Sequence, residues 1–300
     1  MYMSLLLPGH EKMSKEIEYY REIFFYLMEN SSLKEKLHLT WNYKRDHEIL
    51  TRLYPELKDD SEFLKSKQRL EKLKAAGVNI VSLYDDTYPP LLINRLKAKA
   101  PPLLFLRGNV NILQKRGIAI IGARNAPPEV LRMAGSFAGE LARMGFAVVS
   151  GYAKGIDTMA HSGCVNVGGK TIVVLPYGIE QIRIRAELNI HHDLSNALFV
   201  SQFHPSSQWS VARAMQRNKL VVGLSEAVVV IYSNKRTGGT INAAESAIKM
   251  GVPLFVVSPE ALCTEAIGNN FLITKGAKKV NTPEDALYFL NASKKTLKLF

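Results

Sequence analysis

The chain has 300 residues, 39 Lys and Arg against 27 Asp and Glu, a formal charge of +12 and an apolar share of 47%. Such a length suggests about two domains with sizeable cores, and the charge favours a polyanionic partner, with nucleic acid ahead of a membrane surface. Two distant cysteines, Cys164 and Cys263, exclude a disulfide framework and a zinc site, while Met1–Pro8 lacks the basic flank of a signal peptide and the longest apolar run, Leu220–Tyr232, is too short to span a bilayer. A cytoplasmic protein without a membrane partner is expected. The basic excess lies in no single run, so any basic patch must be assembled by the fold.

Residues 11–76 carry a helical pattern. Ile17, Tyr20, Ile23, Phe24 and Leu27 recur at helical spacing, as do Phe63, Leu64, Leu70 and Leu73. Pro55 and Asp59-Asp60-Ser61 mark breaks, with Asp60 or Ser61 as an N-cap. The aromatic stripe Tyr19, Tyr20, Phe24, Phe25, Tyr26 is read as core, because helical spacing is what a core predicts. A small all-helical domain over 1–76 is therefore expected, followed by a second domain over 77–300. Gly77 ends the helical part, and Val78–Leu83 reads as a strand. Tyr88–Leu92 reads as an extended, proline-marked connection, and Pro101–Gly108 as another strand.

From Gly117 onward strands alternate with helices. Ile118–Ile121, Phe146–Val149, Thr171–Leu175, Ala197–Val200, Ala227–Tyr232 and Pro253–Val257 read as strands. Helices are expected over Pro127–Met144, Asp157–Val167, Trp209–Leu224, Thr240–Met250 and 281–290, with the basic tail Lys294–Lys298 frayed. This is the α/β pattern of a parallel sheet with helices on both faces. In such sheets ligands sit beyond the carboxyl ends of the strands.

Ser150-Gly-Tyr-Ala-Lys-Gly-Ile-Asp157, with His161 four residues on, joins a strand to a helix through a glycine loop. That geometry presents free N–H groups and the positive end of a helix dipole to an anion, and Lys154 adds a cation. It matches neither the dinucleotide fingerprint nor the Walker A pattern. A plain strand-to-helix turn with Asp157 as N-cap is the alternative. Three more loops carry related chemistry on the same edge: Gly122-Ala-Arg124, Pro176–Arg185, and Arg236-Thr-Gly238-Gly239-Thr240. Gln216-Arg217-Asn218-Lys219 lies beside them. A wide basic edge with several phosphate-sized sites suits an extended polyanion better than one small ligand. Asp157 and His161 form an i, i+4 pair that could do acid/base work. No nucleophile or third orienting group accompanies them, so an N-cap and a packed histidine is the favoured reading. No catalytic residue, metal or cofactor is expected; His191, His192 and His204 lack metal-ligand spacing.

Over roughly residues 78–280 these motifs resemble the DNA-processing protein A family (DprA/Smf). Tyr88-Pro89, Gly122-Ala-Arg124, Ser150–Asp157 with His161, Arg217-Asn218-Lys219 with Gly223-Leu224-Ser225, and Gly268-Asn269 through Gly276-Ala277 carry the resemblance. It implies an extended Rossmann-like fold, usually dimeric, that binds single-stranded DNA and hands it to RecA recombinase in natural transformation or related recombination, with no catalytic step. It also implies that binding falls to Arg124, the Gly151–Gly155 loop with Lys154, Arg185, Arg217, Asn218 and Lys219. The 1–76 segment matches the family's helical N-terminal domain by position. The winged-helix domain of many members is not expected after Ala277. Lys219 stands where the family has a second arginine, and Ala214-Met215 where phenylalanine-proline is usual. The competing reading is a nucleotide sensor or a Lonely Guy-like nucleotide phosphoribohydrolase, from the partial echo of its glycine motif in Gly238-Gly239-Thr240 with Glu245.

Overall fold

A computed structural model describes residues 10–30, 43–188, 190, 193–262 and 264–297. His191, His192 and Cys263 lie outside these. The chain forms two compact units, 1–107 and 108–300.

The first unit carries helices α1 (His10–Glu29), α2 (Tyr43–Leu57) and α3 (Ser61–Ala75), then strand β1 (Asn79–Ser82), helix α4 (Pro90–Leu96) and strand β2 (Leu103–Gly108). Asp60 caps α3 by accepting from the Phe63 N–H at 2.8 Å. The apolar face of α1 buries Ile23, Phe24, Phe25 and Leu27. Phe24 stacks on Tyr84, and Phe25 meets the edge of Phe105 on β2. The aromatic stripe is therefore core apart from Tyr19, which is half-buried and stacks on Tyr54. Strands β1 and β2 pair antiparallel, Asn79 opposite Leu106 through Ser82 opposite Leu103. Tyr88 is buried and donates its hydroxyl to the Pro101 carbonyl at 2.8 Å.

Two expectations change here. Pro55 does not break its helix, which runs on to Leu57. So close to the helix end its missing N–H removes one bond of a turn that is already closing. The segment after Tyr88 is not extended: Pro90 starts α4, where its fixed φ suits the first turn.

The second unit is a parallel sheet. Its strands are β3 (Gly117–Ile121), β4 (Ala147–Ser150), β5 (Thr171–Val174), β6 (Ala197–Ser201), β7 (Ala227–Val230), β8 (Leu254–Val257) and β9 (Lys278–Val280). They lie in the order β6-β5-β4-β3-β7-β8-β9, each pair parallel. The inner strands are short Val, Ile and Ala runs buried at every position, as a sheet covered on both faces requires. Helices α5 (Pro128–Arg143), α6 (Ile156–Asn166), α7 (Val211–Gly223), α8 (Gly239–Lys249), α9 (Ile267–Thr274) and α10 (Pro283–Leu297) connect or follow them. From β3 the chain marches through β4 and β5 to β6, then returns to β7 and proceeds the other way. Right-handed crossovers therefore put α5 and α6 on one face and α7 and α8 on the other. The core of the first face joins Ile118, Ile120, Val148, Val229 and Phe255 to Phe137, Leu141, Ala160 and Leu290.

The α/β expectation of a Rossmann-like sheet preceded by helices is met. The details differ at three helix ends. α6 begins at Ile156 with Gly155 as its N-cap, so Asp157 is a first-turn residue and not the cap. α7 begins at Val211 with Ser210 as cap, which leaves Trp209 outside the helix. α10 runs to Leu297, beyond the expected end at 290, and takes in most of the basic tail. Among the described residues no helix is long and apolar enough to cross a membrane.

Candidate phosphate-binding cleft

The strand order reverses at β3, whose neighbours β4 and β7 send their connections to opposite faces. The ends of these three strands must splay their loops apart and leave a crevice there. A cavity of about 430 Å³ occupies this point, walled by Gly122, Arg124, Gly151, Asp157, Trp209 and Arg217 among others.

Two of the expected loops lock together. The Ile156 N–H donates to the Ala123 carbonyl, and Ala123 donates its own N–H to Tyr232 at 2.8 Å. Gly155 holds φ at 79°, and a side chain there would meet the carbonyl oxygen of Arg124 at 2.3 Å. Only glycine satisfies both the dihedral and the close approach. Ser150, at the end of β4, is buried and donates to the Ile120 carbonyl at 2.6 Å, so it braces the strand end and does not face the cleft.

Arg217 reaches the cleft floor from α7. It is 5% exposed, and its guanidinium lies so close over Gly151 that a Cβ there would fall 1.5 Å from Nη1. Asp157 stands 3.9 Å away, and the Arg217 Nε has no hydrogen-bond partner among the described residues. The guanidinium is thus a nearly buried cation on the cleft lining with one long ion pair, and its Nε is both unpartnered and closed off from solvent. Burial lowers the Arg217 pKa; Asp157 opposes that shift, and Arg124 adds like-charge repulsion. Burial likewise pushes the Asp157 carboxyl up, against the attraction of Arg217 and the Ala153 N–H, which it accepts at 3.3 Å.

His161 is fully buried, with Nε2 at 2.7 Å from the Gly151 carbonyl and Nδ1 at 2.6 Å from the Thr171 hydroxyl. Burial drives its pKa down to about 4. A neutral ring with its proton on Nε2 donates to the Gly151 carbonyl, while its Nδ1 competes with the Val148 carbonyl, 2.8 Å from the Thr171 hydroxyl, for that hydroxyl's single proton. It orders the loop from behind, as the packed-histidine reading expects.

The other expected residues divide. Arg124 is exposed on the cleft wall; Lys154 is exposed on the same loop as Gly151 but off that wall. Asn218 is buried and fastens the start of α8, donating to the Gly239 carbonyl and the Asn242 side chain at 3.1 Å each. Gly239 and Thr240 line the cleft, while Gly238, with φ at 101°, is exposed beside it. Arg185 is drawn away: its guanidinium donates to Thr158 and the Tyr152 carbonyl and lies 4.6 Å over the Tyr152 ring. Lys219 is exposed and outside the cleft wall.

Trp209, Lys235 and Ser233 also line the cleft, although sequence reasoning did not single them out as site residues. The loop that carries Ser233 is set by Asn269, which is fully buried. Asn269 accepts the Ser233 N–H at 2.7 Å and donates to the Ile231 and Val257 carbonyls. The late Gly268-Asn269 motif held that signal, but its partners are distant in sequence. Glu245, the acidic residue of the hydrolase reading, is exposed and off the cleft wall; the carboxylate at the cleft is Asp157, already paired. Among the described residues no cluster of three His, Cys, Asp or Glu side chains is placed to hold a metal.

A parallel Rossmann-like sheet with a cation-lined cleft at its switch point defines a doubly wound α/β protein. The sequence profile of the DNA recombination-mediator protein A family matches residues 79–291, and the chain belongs to that family. It is 30% identical over 218 residues to the DNA processing protein DprA of Bacillus subtilis, covering 72% of each chain. The structure is similar to that of DNA processing protein A from Streptococcus pneumoniae, with a TM-score of 0.64 and 26% identity over 93% of this chain and 95% of that one. It is also similar to DNA processing protein A from Helicobacter pylori, solved to describe its single-stranded DNA binding mode, with a TM-score of 0.61 and 26% identity over 73% of this chain and 96% of that one.

Proposed function

We propose that the cleft and the loops around it bind single-stranded DNA, and that the protein acts in DNA recombination in the cytoplasm by loading RecA onto that strand, as a homodimer. The observation that carries the reading is the Arg217 guanidinium, which lines the cleft beneath the Gly151 loop with one long ion pair to Asp157. Around this receptor Arg124, Lys154 and Lys235 are exposed cations, suited to the phosphates that follow along a strand. Gly122, Ser150, Gly155 and Asp157 shape the receptor; Gly239 and Thr240 border it, next to Gly238. Arg185 and Lys219 belong to the outer basic surface in this reading. Membership of a DNA-processing family and the single-stranded DNA binding of the Helicobacter pylori protein support the assignment.

The test is fluorescence anisotropy with labelled oligo-dT and the matching duplex across a salt series. Tight single-strand binding that exceeds duplex binding and weakens with salt is expected. Absence of single-strand binding at low salt sinks the proposal.

A further inference from the structure

The cleft has two kinds of wall. Arg124, Asn125, Lys235 and Thr237 present polar and charged groups, whereas Trp209, Val211, Ala214 and Met215 present apolar ones. Trp209 is 50% exposed and Val211 67%, although both are large and apolar. Burying such surface is favourable, so a ligand seated in the cleft gains by covering the indole and the apolar side chains beside it. The indole is also set on fixed backbone. Ser210 caps α7 by accepting from the Arg213 N–H at 3.2 Å, and the Gln208 carbonyl accepts from the Arg213 guanidinium at 2.9 Å. The Gln208 amide reaches Gln181 at 3.0 Å, and the Gly178 N–H donates to the Ser207 carbonyl at 2.8 Å. The residues on each side of Trp209 are thus pinned to two different elements.

From this we infer that Trp209 is a stacking platform for one nucleobase, splayed from the strand while a neighbouring phosphate is received at Arg217. The inference rests on the single-strand reading and adds to it a base-dependent contribution. The occupant is a base rather than an apolar protein segment because the same cleft is lined by Arg124, Lys235 and Arg217, and a nucleotide joins a flat π-face to an anion. A paired base cannot leave its stack without unpairing, so Trp209 also contributes to preference for single strands over duplex. The face is indifferent to base identity, since every base has a π-face.

The sequence holds two tryptophans, Trp41 and Trp209. In the full-length Trp41→Phe protein all indole emission therefore comes from Trp209. Oligo-dT is expected to quench that emission on binding, and an abasic oligomer of the same length is not. In anisotropy, wild type should bind oligo-dT roughly tenfold to a hundredfold more tightly than the abasic backbone. Trp209→Ala should bind both alike, at the wild type's abasic affinity, and Trp209→Phe should keep most of the preference. Equal binding of oligo-dT and abasic backbone by wild type, or an undiminished preference in Trp209→Ala, overturns the inference and leaves the phosphate site standing. Failure to bind either oligomer overturns both readings.

Discussion

Two glycine turns lead from a strand into a helix on this cleft, and the fold treats them oppositely. At Gly155 the positive φ coincides with a backbone approach that leaves no room for a methyl group. At Gly238 the φ is also positive, at 101°, but the space around it is open. Gly239 next to it meets nothing within 4 Å and has no positive φ. The first turn is an internal joint: Gly155 and Gly151 exist so that Ala123, Arg124 and Arg217 can come close. The second is a free rim whose glycines owe little to packing. Similar sequence signals thus conceal a structural requirement in one loop and open surface in the other.

The largest effect that sharpens this contrast is expected at Gly155. Gly155→Ala combines strain at φ 79° with a clash against two carbonyls, and should destabilise the protein by roughly 3 kcal/mol or more. Urea unfolding followed by circular dichroism measures it, and a variant as stable as wild type would refute the interlock. The same loop should be acid-sensitive. The folded value of His161, about 4, lies below its ordinary 6.5, so below pH 6.5 the unfolded chain takes up a proton that the folded chain does not. The stabilisation present at neutral pH is lost as pH falls from 6.5 to about 4, by roughly 3 kcal/mol in full. The raised carboxyl of Asp157 acts with the opposite sign, so wild type is best compared with His161→Gln. Wild-type stability should fall more steeply over this range than the variant's; parallel curves would remove His161 as the cause.

On the exposed side, Arg124→Ala should leave stability nearly unchanged and reduce the salt slope of single-strand binding by about 0.7. Lys154→Ala should do the same, and unchanged slopes in both would separate these cations from the DNA path. The smallest effect belongs to Gly239→Ala. With open space and a helical position its stability should shift by less than about 1 kcal/mol, toward stabilisation. Any loss of DNA affinity in that variant would then report close approach of the ligand to the rim. Equal losses of stability in Gly239→Ala and Gly155→Ala would erase the distinction between the two turns.

Much of the fold was legible locally. The runs at Ile118–Ile121, Val148–Val149 and Val228–Val230 are short, rich in β-branched residues and set between turns, which is what strands of a sheet covered on both faces require. Their alternation with helices was enough for a parallel sheet with the loops after its strands gathered on one edge. Helix ends were less legible, because caps are decided by single dihedrals: Gly155 displaced Asp157 as cap, and Ser210 left Trp209 in the loop.

By itself the sequence determined the strand-loop-helix repeats, the glycine loops and the basic residues on them, since these follow from periodicity and local backbone preference. Only the tertiary structure decided which of those cations meets the cleft. Burial put Arg217 on its floor with an unmet donor, and turned Arg185 onto Tyr152 and Thr158 instead. It also brought Asn269 back beneath Ser233 across 36 residues and set Trp209 at the rim. Such contacts depend on strand order and crossover direction, which bring together residues with no shared local pattern.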